Sequence, residues 1–223
     1  AGLNSIKTFD LPASLKKIGE MGLGQNTSMT ELTLPDGLEE IGGQAFKAVY
    51  EVEGNLSKLT FGKKMPKMTN DKGSCQILLG QNKLDAVDMT RCTSEADSID
   101  CFNNRGYNGI PVVYTANEAV AAKAKTANNS LMAYAVANGG TFPADTKFEA
   151  GKLATPVKDG YRFDGWYKDS GFAGKAVTVA EAGQTYYAKW EVKAEKTAPA
   201  APELNDRTYT SITLKTIEGA QYR

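Results

Sequence analysis

Met29-Thr30-Glu31-Leu32-Thr33-Leu34-Pro35-Asp36-Gly37-Leu38-Glu39-Glu40-Ile41-Gly42 restates, 23 residues on, the pattern of Ile6-Lys7-Thr8-Phe9-Asp10-Leu11-Pro12-Ala13-Ser14-Leu15-Lys16-Lys17-Ile18-Gly19. Each apolar position recurs, as do the Pro and the Gly, and Leu23 maps onto Phe46. A third and more divergent copy, Leu56-Ser57-Lys58-Leu59-Thr60-Phe61, follows at an offset of 27, with Met65 and Met68 in the places of Leu38 and Ile41. A fixed period of this length marks an architecture in which each unit covers its apolar edge with the next. Within a unit, Met29, Leu32 and Leu34 read as a short strand. Pro35 removes a backbone donor and stops it, and Asp36-Gly37 supplies turn chemistry. Leu38, Ile41 and Phe46 then point back inward.

The sequence Leu34-Pro35, Leu38, Ile41-Gly42, Ala45-Phe46 resembles the BspA-like class of leucine-rich repeats of bacterial surface proteins. Leu11-Pro12, Leu15 and Ile18-Gly19 match as well, with Gly22-Leu23 replacing Ala-Phe. The third copy departs, since Phe61-Gly62 lacks the Pro and Met68-Thr69 lacks the Gly. Alternation along the strands puts Thr8, Glu31 and Lys58 in one outward row and Asp10, Thr33 and Thr60 in the next. These six are the candidate binding residues, against the plainer reading that the rows are simply solvated.

Composition narrows the chemistry. Across 223 residues, 26 Lys and Arg balance 26 Asp and Glu, leaving no global field to attract nucleic acid. No apolar run reaches membrane-spanning length, so no membrane insertion is expected in this segment. No secretory leader is visible; Ala1 opens directly into the repeats, and a leader would have been removed or lie outside the segment. Histidine is absent, which removes Ser-His-Asp and Cys-His catalysis and His-bound zinc. Cys75, Cys92 and Cys101 form no C-x-x-C pair; Cys92 and Cys101 either bridge or stay as buried thiols. Glu95, Asp97 and Asp100, with Asp85 and Asp88 upstream, either hold calcium or belong to a solvated loop. Asn26, Asn55 and Asn128 each open an N-x-Ser/Thr triplet. No phosphate loop, dinucleotide fingerprint or nucleophile elbow is present.

Further along, Cys75–Leu79 and Leu84–Met89 read as strands, and Ile110–Tyr114 as a last strand whose Pro111 suits a sheet edge. Thr115-Ala116-Asn117-Glu118 reads as a capping box opening a helix over Ala119–Ala127. In BspA-like arrays such a helix closes the open end of the stack. Asn128-Asn129-Ser130 marks a boundary. Beyond it, Asn138-Gly139-Gly140, then Gly160-Tyr161-Arg162-Phe163-Asp164-Gly165-Trp166-Tyr167, then Tyr187-Ala188-Lys189-Trp190 closely resemble the Listeria–Bacteroides repeat, also called the internalin-type B repeat, over Leu131 to Val192. That resemblance implies a small β-grasp-like fold. Tyr161, Phe163, Trp166, Tyr187 and Trp190 supply the apolar area so small a domain needs, with an aromatic sugar platform as the rival reading. Lys193 to Pro202 reads as an extended spacer, and Tyr209–Lys215 as a strand of an incomplete module.

The expected fold is therefore β-rich α+β: a short leucine-rich-repeat solenoid with a C-terminal capping helix (1–127), a β-grasp-like Listeria–Bacteroides repeat (128–193), a linker (194–203) and the start of an Ig- or fibronectin-like module (204–223). The expected role is a non-enzymatic segment of a modular bacterial cell-surface protein, extracellular and either cell wall-associated or secreted. It would adhere to a host or bacterial extracellular protein through the repeat face, without cofactor, metal or catalytic residue. The alternatives are a stalk without a ligand, and glycan binding by the aromatic-rich repeat.

Overall fold

The computed structural model describes residues 6–48, 52–69, 76–92, 102, 106–125, 130–193, 204–207, 210 and 212–214. One compact unit runs to Val192 and a second begins at Lys193. In the first, the strands are β1 (Thr8–Phe9), β2 (Lys17–Ile18), β3 (Glu31–Thr33), β4 (Glu40–Ile41), β5 (Lys58–Thr60), β6 (Lys67–Met68), β7 (Ala86–Met89) and β8 (Val112–Thr115). A short helix, α1 (Glu118–Ala124), the one helix among the described residues, precedes β9 (Ala133–Val136), β10 (Tyr161–Tyr167) and β11 (Thr185–Val192).

The sequence repeat sets the register. Thr8 pairs with Glu31, Glu31 with Lys58 and Lys58 with Ala86, all parallel. A second parallel ladder, β2-β4-β6, stacks Ile18, Ile41 and Met68. The third copy thus holds its register at the 27-residue offset despite lacking the Pro and the Gly. One buried row runs through Leu32, Leu59, Val87, Val113 and Tyr134, each 1% exposed or less, with Phe9 half-buried at its start. Leu34, Leu38, Ile41, Phe46 and Phe61 fill the same interior. Each such side chain contributes about 1.5–3 kcal/mol by leaving water.

The expected fold class does not hold. The structure is nearly all β, and its first sheet does not end at β8. It runs β1-β3-β5-β7-β8-β9-β11-β10 as one mixed eight-stranded sheet, parallel up to β9–β11 and antiparallel only between β10 and β11. Nothing here marks off a leucine-rich-repeat solenoid closed by a capping helix, since α1 packs beside β8 and β9 while the sheet passes on beneath it. Nor does the repeat with Trp166 and Trp190 form a β-grasp-like body of its own. The physical reason is that Val112 to Thr115 and Ala133 to Val136 are buried on both faces, as interior parallel strands require.

Local expectations shift accordingly. β8 is an interior strand, and Pro111 stands just before it, where its missing donor breaks no ladder bond. Thr115 pairs with Val136 as the last residue of β8, so Asn117 takes the N-cap, its Oδ1 accepting from Val120 N at 3.0 Å. The segment 77–80 is a turn, not a strand. In the second unit, β12 (Leu204–Arg207) and β13 (Ile212–Leu214) form an antiparallel pair on their own. That pair supplies no evidence of an Ig- or fibronectin-like module.

Two glycines separate the copies. A Cβ on Gly42 would lie 2.3 Å from the backbone nitrogen of Glu20, in the preceding copy, whereas one on the equivalent Gly19 meets nothing within 4 Å. Gly42→Ala is therefore expected to destabilise the chain by about 1–3 kcal/mol or more, and Gly19→Ala by less than about 0.5 kcal/mol. Urea denaturation of the two variants checks the difference.

Candidate functional site

The outward face of the eight-stranded sheet carries the six residues picked out by alternation. Thr8, Asp10, Glu31 and Thr33 are exposed, and Lys58 and Thr60 are half-buried. The ladder aligns Thr8, Glu31 and Lys58 side by side and sets Thr33 against Thr60. Asp10 follows Phe9, whose partner is Leu32. The four exposed residues form an open patch, while Lys58 is engaged elsewhere. Its Nζ donates to the Ala144 carbonyl at 3.2 Å and lies 5.2 Å from the centre of the Phe148 ring. Thr60 Oγ1 is buried and has no hydrogen-bond partner.

What covers this end of the face is the segment after β9. The two rows continue as Ala86, Val112 and Ala133, and as Asp88, Tyr114 and Ala135. Apart from Asp88, these build a second apolar core with Leu153, Trp166 and Tyr186. Tyr114 is its centre, with ring centroids of Phe142, Phe148 and Trp166 at 4.6, 5.3 and 6.0 Å. Its hydroxyl accepts from Ala154 N at 2.9 Å and donates to the Lys152 carbonyl at 3.2 Å. Burial pushes its phenol above the usual range. Asp88, 5% exposed, is satisfied locally, accepting from the amide of Thr90 at 3.0 Å and its hydroxyl at 2.7 Å.

Beside Lys58 lies an open groove of about 430 Å³ whose walls include Asn55, Ser57, Asn82, Asp85, Asn108 and Ala150. Asp85, just before β7, ties the sheet to the segment that covers it, its Oδ1 accepting from Ala150 N at 2.9 Å. Burial raises its carboxyl above the usual carboxylate range; the Ala150 amide opposes that and Glu149 adds to it. Two buried amides escaped sequence reasoning. Asn26 Oδ1 accepts from Ser28 N and Met29 N, and Gln81 accepts from Leu56 N and donates to the Phe46 carbonyl. An Asn or Gln just before a strand was the available signal.

Neither tryptophan offers an open platform. Trp166 is 2% exposed, with Nε1 donating to the Ala154 carbonyl. Trp190 is half-buried against Phe163 and Lys158, its Nε1 donating to the Ala137 carbonyl. Gly165, at φ +152, and the register shift beside it turn Trp166 inward. Cys92 is a free, buried thiol donating to the Gly62 carbonyl at 3.0 Å, and burial pushes it up to about 12. Cys75, Cys101, Glu95, Asp97 and Asp100 fall outside the described residues, and with them the choice between a Cys92–Cys101 bridge and separate thiols and that between a calcium loop and a solvated one. Among the described residues, no cluster of three metal-ligating side chains occurs, and no helix is long and apolar enough to cross a membrane.

Residues 133–189 match the family model of the Listeria-Bacteroides repeat domain. The resemblance seen over Leu131 to Val192 therefore holds for this segment. It begins at the first residue of β9, inside the shared sheet. Nothing in it supports the BspA-like leucine-rich-repeat resemblance. No curated protein and no solved structure matches the chain.

Two measurements probe the covered face. A carboxyl whose folded pKa is raised keeps its proton longer in the folded state. Its ionisation therefore lowers stability as pH climbs from the unfolded value of 3.8 through the folded one. Asp85→Asn keeps the acceptor for Ala150 N without the charge. Thermal melts should show it matching or exceeding the parent at pH 7, with the advantage gone below pH 3.8. Separately, iodide should quench tryptophan emission far less in the folded chain than in the urea-unfolded one.

Proposed function

We propose that the chain is a non-enzymatic segment of a modular bacterial cell-surface protein, held outside the cell, that contacts an extracellular protein through the patch of Thr8, Asp10, Glu31 and Thr33. The match of residues 133–189 to the Listeria-Bacteroides repeat supports the surface-protein part of this reading. The observation that carries the contact itself is the division of one sheet face. Its β7–β9 end is apolar and covered, and its β1–β3 end is polar, exposed and backed by a dry core. A rigid face of this kind loses little freedom on binding. Because the patch is small, single contacts are weak, and several copies on one surface would raise the avidity.

The engagement of Lys58 by Ala144 and Phe148 favours a second reading, a stalk without a ligand, because it removes one of the six face residues from contact. Surface-immobilised chain exposed to a panel of host extracellular-matrix and bacterial surface proteins separates the two. Adhesion predicts a partner whose affinity drops at least about tenfold, roughly 1.4 kcal/mol, in Glu31→Lys/Thr33→Lys. A panel with no partner leaves the stalk, and a partner indifferent to both substitutions removes the patch.

A further inference from the structure

The chain contains two Asn-Gly pairs, Asn108-Gly109 and Asn138-Gly139, and the structure treats them differently. In such a pair the glycine amide nitrogen, unhindered by a neighbouring side chain, can attack the asparagine Cγ. Asn138-Gly139 is tied down. Gly139 N donates to the Ala116 carbonyl at 3.1 Å, and Asn138 Nδ2 donates to the Ala188 carbonyl at 2.8 Å. The Asn138 carbonyl also accepts from Lys158 Nζ at 2.8 Å. Asn108 and Gly109 are both exposed, and no hydrogen bond holds the Gly109 N–H. The Asn108 side chain has only an exposed bond, Nδ2 donating to Glu53 Oε2 at 3.2 Å.

We propose that Asn108 is a self-modification site at which the chain converts this asparagine to aspartate and isoaspartate. The Gly109 nitrogen loses its proton to water or hydroxide and bonds to Asn108 Cγ. Cγ releases its amide as ammonia, which carries away a proton, and a cyclic imide closes. Water then adds to one of the two imide carbonyls and breaks its bond to nitrogen. Opening at one carbonyl gives aspartate; opening at the other gives isoaspartate, which routes the main chain through the side-chain carbon.

The position makes the second product consequential. A Cβ on Gly109 would lie 2.7 Å from Ala150 Cβ, so the segment leading into β8 has no room to lengthen on that side. The next residue, Ile110, accepts from Gly151 N at 2.7 Å, and Ala150 N donates to Asp85. Isoaspartate adds one carbon to the main chain just before these bonds, and both oppose the displacement. The seam between the sheet and its cover therefore loosens with the age of the molecule, and a new carboxylate appears in the groove that holds Asp85.

The test uses the full folded chain, incubated at mildly alkaline pH and sampled over time. Peptide mapping follows the mass change of amide to acid, and isoaspartyl methyltransferase labelling identifies the rearranged product. Cyclisation at Asn138 requires freeing the Gly139 N–H and a part-buried side-chain amide. At Asn108, held by its main-chain N–H on the Asn82 carbonyl, only the exposed bond to Glu53 has to open, so Asn108 is expected to convert about tenfold faster or more. The rate should rise with pH, and Asn108→Gln should remove the fast label. In aged chain, hydrogen exchange at the Ala150 and Gly151 amides should quicken, whereas freshly made Asn108→Asp, with an ordinary main chain, should leave it near the parent's. Conversion at Asn108 no faster than at Asn138, or fast labelling that persists in Asn108→Gln, overturns the proposal.

Discussion

Val113 and Tyr114 are neighbours in the chain and point into different cores. Val113 sits in the buried row that runs from Phe9 to Tyr134, and Tyr114 anchors the aromatic cluster of Phe142, Phe148 and Trp166 on the opposite face. A strand can serve two interiors only where both of its faces are apolar and its ladder bonds are complete on both sides. β8 meets that condition between β7 and β9. Removing the apolar character of either face would uncover one core or the other. The position of the second core, the partial burial of Lys58 and Thr60 and the extent of the open patch all follow from it.

Charge plays a lesser part. Cross-copy pairs such as Lys16 with Glu39 at 3.2 Å and Lys17 with Glu40 at 2.7 Å repeat the 23-residue spacing. The Lys17 ammonium holds the Glu40 carboxyl below its usual range. These groups face solvent, where ion pairs select a register more than they stabilise one. In the second half, Lys189 and the Tyr167 hydroxyl do the same for Asp164 at the register shift beside Gly165.

The period was readable because the inward positions of a stacked chain repeat the same environment. Leu32 and Leu59 fall into register even where Pro35 and Gly42 have no counterpart. The face rows were readable for the same reason. What a period cannot convey is where the stacking stops. Ala133-Tyr134-Ala135-Val136 reads as an ordinary strand, and no residue in it names its neighbour. The alanines at 133 and 135 are small because aromatic rings lie over that face, which only the assembled sheet reveals. Thr115 matched a helix-capping pattern, but its ladder to Val136 claimed it for the strand. The helix that the BspA-like resemblance sets at the open end of the stack instead packs beside β8 and β9.

The sheet's two ends are built unequally, and this matters for a molecule under tension. β1 is held by one parallel ladder of two residues, whereas β10 at the other end is held by a six-pair antiparallel ladder to β11, which β9 grips in turn. In a stack of nearest-neighbour contacts, load drawn through the chain finds the weakest junction first. A pull would strip copies away from the β1 side in sequence, each releasing slack and absorbing work, while the aromatic end stayed intact as the anchor. Such stepwise yielding would suit a tether that must survive a sudden drag without letting go.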